Sequence, residues 1–197
     1  MKTLALDTST HLLVIALIDE ERVLAKSVLD IPKRQSELTL PEVDRLMKSI
    51  DWTPANLDAV VVSDGPGSYT GLRIAMTIAK VLAVIQPIEL YTVGTLQLWA
   101  GRLSHVRVVL DARAKRVFTG VYHAGEVVEA DHAIDIDTLR QHLSQHEQLV
   151  GHANLLDRCA VSVDLAEHFA QLKPLWQKVE NPHALVPRYL KETEYSK

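Results

Sequence analysis

A single cysteine, Cys159, in 197 residues excludes an internal disulfide, offers no thiol cluster and fits a reducing compartment. Basic residues are in no excess: 21 Lys and Arg stand against 25 Asp and Glu, a net charge of -4, so the chain lacks the footprint of an autonomous tRNA or DNA binder. No apolar run reaches membrane-spanning length, and no basic leader precedes Thr3 to Leu6, so a cytoplasmic protein with no membrane partner is expected. Catalytic patterns are missing too. No paired carboxylates or Ser/His/Asp order stand out. Nine histidines invite a metal reading, with His142 and His146 four apart on an expected helix. Yet Leu143 stands where a zinc protease needs Glu, no third ligand is signalled, and an exposed pair near a helix C-terminus accounts for them. Lys33-Arg34 and Arg113, Lys115, Arg116 read as solvated local clusters.

What is present is organised around Gly65-Pro66-Gly67-Ser68-Tyr69-Thr70-Gly71-Leu72-Arg73. The apolar run Ala59 to Ser63 before it predicts a strand buried on both faces. Leu72 to Ile85 after it, free of Gly and Pro, predicts a helix. Ile74, Ile78, Val81, Leu82 and Ile85 form one apolar face, expected to cover the sheet. Leu72, Ala75, Met76, Ala79 and Ala83 form the other, expected to meet a second partner closely because its side chains are small. The loop fails three phosphate and nucleophile patterns. A P-loop needs Lys before Ser/Thr, and here Leu72-Arg73 follows Gly71. A dinucleotide fingerprint needs GxGxxG, and Gly65, Gly67 and Gly71 give GxGxxxG. A nucleophile elbow needs GxSxG, and Pro66 occupies its first glycine. Two readings remain: a tight structural turn, and an anion or partner site at a helix N-terminus capped by Ser68 or Thr70. Arg73 lacks an evident anion to balance it.

In chain order, three strands (Thr3 to Leu6, Leu13 to Ile18, Val23 to Leu29) form a meander whose first corner is Asp7-Thr8-Ser9-Thr10. That corner suits a phosphate and its metal or an ordinary turn. A helix follows, with Ser36 or Thr39 as cap and Pro41 near its start. Next come the buried strand, the glycine loop and its helix, a strand at Leu90 to Val93 and a helix over Thr95 to Leu103. The second half repeats this outline. Val106 to Leu110 ends at Asp111-Ala112-Arg113, Val117 to Tyr122 returns, Val127-Val128 follows, Asp137 starts a helix through about His146, Leu149 to Gly151 is a strand, and Asp164 to Leu172 a helix. The repeat predicts an α/β, actin-like (ASKHA) fold of two ribonuclease-H-like halves, 1–103 and a reduced 104–197, whose C-terminal segment packs back on the first.

The glycine motif with Ile74-Ala75 and Ala79-Lys80 closely resembles the hallmark of the TsaB (YeaZ) family, the non-catalytic paralogue of TsaD in bacterial tRNA threonylcarbamoyladenosine synthesis. Leu6 to Thr10, Gln35 to Leu38 with Pro41, Asp111 to Arg113 and Pro187-Arg188-Tyr189-Leu190-Lys191 resemble other family segments. The resemblance implies an accessory subunit, not an enzyme. It implies pairing with a TsaD-like catalytic subunit through the first-half helices, with Leu72, Ala75, Met76, Ala79 and Ala83 at the contact. It also implies a TsaE-like ATPase partner, a homodimer when alone, and tRNA reached mainly through the complex. In TsaD two histidines four apart hold a metal; the matching positions here are Thr95 and Trp99, so no cofactor is expected in this chain, with ATP and metal on partner subunits. The competing reading is an independent actin-like nucleotide-dependent transferase or glycoprotease-like hydrolase using Asp7, Thr8 and the Gly65 loop.

Overall fold

The computed structural model describes residues 1–190; Lys191 of the terminal segment lies outside them. Strands β1 (Lys2–Asp7), β2 (Leu12–Asp19) and β3 (Arg22–Asp30) form the antiparallel meander. β4 (Ala59–Ser63) pairs parallel with β1, and β5 (Glu89–Val93) parallel with β4. The sheet runs β10-β5-β4-β1-β2-β3, in which β10 (Gln177–Lys178) comes from the far end of the chain. Between its strands lie the helices α1 (Gln35–Ser49) and α2 (Tyr69–Ile85), and α3 (Thr95–Ala100) follows β5.

The second half repeats the plan with less. β6 (Val106–Arg113), β7 (Arg116–His123) and β8 (Glu126–Asp135) form a second meander, followed by α4 (Ile136–His142) and by β9 (Gln148–Gly151), parallel to β6. The sheet order β8-β7-β6-β9 is the first sheet's β3-β2-β1-β4 over again, without the strand equivalent to β5. α5 (Leu165–Gln171) completes the set. Two ribonuclease-H-like units, the second reduced, make this an actin-like α/β fold.

Alternation along the strands divides the core, because successive side chains leave a strand on opposite faces. Leu4 and Leu6 point with Val60 and Val62 toward α1 and α2, where Val43, Leu46 and Met47 meet them. Ala5, Val14, Ala16 and Val61 point the other way, into a core shared with α3, α5 and the inner face of the second sheet: Leu96, Phe169, Val106, Val108 and Tyr122. Helices α3 and α5 fill the space between the sheets, and the halves share one interior.

Four expectations need correction. The sidedness of α2 is the reverse of that expected: Leu72, Ala75 and Ala79 are fully buried, Met76 is 3% exposed and Ala83 is partly buried, so the small-residue face lies on this chain's own sheet. Short side chains let the helix settle close to β4, and the longer Val81, Val84 and Ile85 are left outside, at 52%, 53% and 67% exposure. Helix α1 begins at Gln35, ahead of both expected caps; Thr39 instead donates its hydroxyl back to the Gln35 carbonyl at 2.6 Å, and Pro41 sits inside the helix on its exposed side. Helix α3 ends at Ala100, since Gly101 turns left-handed (φ 55°) to make room for His168, whose ring lies 2.4 Å from where a Cβ would be. Helix α4 stops at His142, so His146 is not its helical neighbour and the expected pair is not formed.

Candidate functional site

The glycine loop owes its composition to close approach. A Cβ on Gly71 would fall 2.0 Å from the Thr8 carbonyl oxygen, and one on Gly67 2.6 Å from that of Ser9. The bare backbone lets the first turn of α2 lie directly on the first corner. Ser68 caps the helix, accepting from the Gly71 amide at 3.2 Å, and its own amide donates to the Ser9 carbonyl at 2.7 Å. The Thr8 hydroxyl donates to the Gly71 carbonyl at 2.6 Å and accepts from the Ala75 amide at 3.3 Å, inserting the corner into the helix's hydrogen-bond ladder.

Below this roof Asp7, at the C-terminal end of β1, is fully buried. One carboxylate oxygen accepts from the Ser9 amide at 3.0 Å and from the Ser63 hydroxyl. Burial raises its pKa above the ordinary carboxylate value, and those hydrogen bonds offset only part of the effect. Between the halves the loop opens onto a cleft of about 730 Å³ lined by Ser9, His11, Lys33, Tyr69, Arg113 and His152, among others. His152 Nδ1 accepts from the Asp111 amide at 3.0 Å, which places any proton of the neutral ring on Nε2. Burial, then the nearby His11 ring 5.2 Å away, lowers the His152 pKa.

The remaining loop residues divide between interior and surface. Gly65 and Pro66 are buried and Gly67 partly so, while Ser68, Tyr69, Thr70 and Arg73 are exposed. Arg73 finds an aromatic partner in place of an anion. Its guanidinium lies 4.3 Å from the Tyr69 ring centroid, and Tyr69 stacks on Tyr189 at 5.5 Å. Arg73 Nε lies 3.5 Å from the Tyr189 hydroxyl oxygen.

The metal implied by the TsaD resemblance does not fit here. Thr95 is fully buried and Trp99 is 7% exposed, both on α3, and an indole N–H can only donate. Among the described residues no group of three or more His, Cys, Asp or Glu is placed to hold a metal ion.

Sequence reasoning missed Tyr122, Asp131, His152 and the chemical role of Arg188. Asp131 carried a usable signal: a carboxylate within a strand, its side chain 4% exposed, requires a partner, and Arg188 supplies one at 3.0 Å.

The comparisons with known proteins agree with this architecture. The family model for TsaD, tRNA N6-adenosine threonylcarbamoyltransferase, matches residues 30–171. The tRNA threonylcarbamoyladenosine biosynthesis protein TsaB of Bacillus subtilis is 39% identical over 126 residues, 62% of this chain and 55% of that protein. The Escherichia coli TsaB is 30% identical over 132 residues, 64% of this chain and 57% of that protein. The matches thus span little more than half the length of these curated relatives. YeaZ from Pseudomonas aeruginosa has the same fold, with a TM-score of 0.77 and 24% identity, covering 96% of this chain and 99% of that one. With the family model matched over most of its length and TsaB proteins among its relatives, the chain belongs to the TsaD family, on its TsaB (YeaZ) side.

Proposed function

We propose that this chain is an accessory, non-catalytic subunit in tRNA threonylcarbamoyladenosine biosynthesis, which pairs with a TsaD-like catalytic subunit and helps a TsaE-like ATPase join it. The observation that carries the reading is the burial of two α3 side chains, Thr95 and Trp99, which the family resemblance sets against the metal-holding histidines of the catalytic paralogue. A hydroxyl and an indole N–H cannot stand in for two imidazoles, so threonylcarbamoyl transfer to the tRNA adenosine occurs on the partner, with its metal and ATP. The exposed strip Val81, Val84 and Ile85 on α2 supports the pairing, and in the partner's absence the same strip serves a homodimer. Transfer RNA is reached through the assembly, in keeping with the net charge of -4. The setting is the cytoplasm, and no described helix is long and apolar enough to cross a membrane.

Reconstituting tRNA modification from the TsaD-like and TsaE-like proteins, with and without this chain, tests the role. Activity should require the chain and fall at least about tenfold with Val84→Asp, which places a charge in the contact. Full modification without the chain would overturn the proposal. The buried Asp7 beside an inter-half cleft favours the competing reading, an independent nucleotide-dependent enzyme. Turnover by the purified chain, abolished in Asp7→Asn, would establish that reading instead.

A further inference from the structure

Residues 179–190 return from the second half and lie against the first like a strap. The Val179 amide donates to the Leu90 carbonyl at 2.8 Å, Lys80 Nζ to the His183 carbonyl at 3.3 Å, and the Arg188 amide to the Asp64 carbonyl at 2.7 Å. The Arg188 side chain then reaches both halves. Its Nη2 donates to the Gly65 carbonyl at 2.8 Å and to Asp131 Oδ2 at 3.0 Å, and its Nε lies 3.5 Å from Asp64 Oδ1. Asp64 and Gly65 belong to the first half. Asp131 lies on β8 of the second, and its other oxygen accepts from the Tyr122 hydroxyl of β7.

Three glycines clear space for this junction. A Cβ on Gly65 would meet the Arg188 carbonyl oxygen at 2.5 Å, one on Gly94 would meet Arg188 Nη2 at 2.7 Å, and one on Gly120 would meet Asp131 Oδ1 at 2.7 Å. The next residue, Tyr189, makes the stack on Tyr69 beside Arg73, and Tyr69 also lines the cleft.

We propose that Arg188 is the latch of this strap: it fastens residues 179–190 to both halves at once and thereby couples the placement of the halves at the cleft to the Tyr69–Arg73–Tyr189 surface. Releasing the guanidinium leaves Asp131 buried without its cation, a costly state, so the latch favours two discrete arrangements over gradual loosening. With the latch open, the strap keeps its backbone contacts near Val179 and loses the anchor that seats Tyr189. Whatever moves β8 away from the Gly65 loop opens the strap, and by reciprocity an open strap loosens the cleft. This goes beyond the accessory role and holds for the chain by itself.

Hydrogen exchange of the full chain tests it. Arg188→Met keeps the apolar stem and removes the guanidinium. Gly94→Ala pushes the guanidinium off the Gly65 carbonyl from the other side, at a backbone conformation (φ -63°, ψ 140°) that alanine accepts. Both should raise exchange in 185–190 about tenfold while β1, β2 and β4 keep their protection, with Arg188→Lys intermediate. Asp131→Asn, made in the second half, should open the same segment. Unchanged exchange of 185–190 in Arg188→Met and Gly94→Ala overturns the latch, as does an even loss of protection over the whole chain in both. A response to those two without one to Asp131→Asn overturns the coupling between halves.

Discussion

Each half carries an aspartate where its first strand runs into the following corner, Asp7 as the last residue of β1 and Asp111 two residues before the end of β6, and the two fare differently. Asp7 is fully buried, held by Ser9 and Ser63 under the first turn of α2. Asp111 is exposed, and its carboxylate accepts from the Arg113 amide at 2.7 Å, within its own turn. The corners resemble each other in sequence, and what separates them is the covering element. After β4 the first half lays a 17-residue helix over its corner, with Gly71 against Thr8; after β9, the counterpart of β4, the second half has only the four-residue 3-10 turn Ala153–Leu156. An identical turn residue becomes a desolvated acid or an ordinary cap according to what a distant part of the chain lays over it.

Forcing the roof off the first corner should have the largest effect. Gly71→Ala drives a methyl into the Thr8 carbonyl, where backbone cannot yield cheaply, and should cost about 3 kcal/mol or more in urea unfolding. A cost below about 1 kcal/mol would separate α2 from the corner and dissolve the contrast.

The pH dependence of stability sharpens it. Asp64, at the first-half rim, has its carboxyl pushed up to about 6, chiefly by burial, from 3.8. Its contribution is therefore complete below about pH 4 and is lost as pH rises through 6, a change of about 3 kcal/mol. Asp64→Asn should remove that decline from urea midpoints measured between pH 4 and 7. Asp7, raised in the same direction, should show a decline of the same sign that Asp7→Asn abolishes. If neither variant changes the slope, the first-half rim does not carry desolvated acids. The smallest effect belongs to the second corner: Asp111→Asn, an exposed substitution, should alter the unfolding free energy in urea by less than about 0.5 kcal/mol.

Much of the fold was legible because it rests on local signals. The β-branched run at Ala59 to Ser63 marked a strand buried on both faces, and the two strand-strand-strand-helix successions marked the repeat. The face of α2 was misread because both sides are apolar, and periodicity cannot say which of two apolar faces goes inside; alanine's small size settled it through the distance to β4. The glycine loop was legible as a motif, but its purpose was not: the contacts that exclude Cβ atoms come from Thr8, Ser9 and Arg188, remote in sequence. Arg73 was recognised as needing a partner, and the partner is a pair of tyrosines, one of them 116 residues away.

The order in which this chain leaves the ribosome is set against the order in which it can be finished. β1 to β5 are made before the second half, yet among the described residues the free edge of β5 pairs with Gln177–Lys178, and the faces of β2 and β3 opposite α1 pack on α5 and the shared core. A nascent first half therefore carries an open strand edge and bare apolar surface until residues 165–178 have been made. Closure waits on contacts of very long sequence separation, which makes late folding, rather than folding half by half, the natural course of its synthesis.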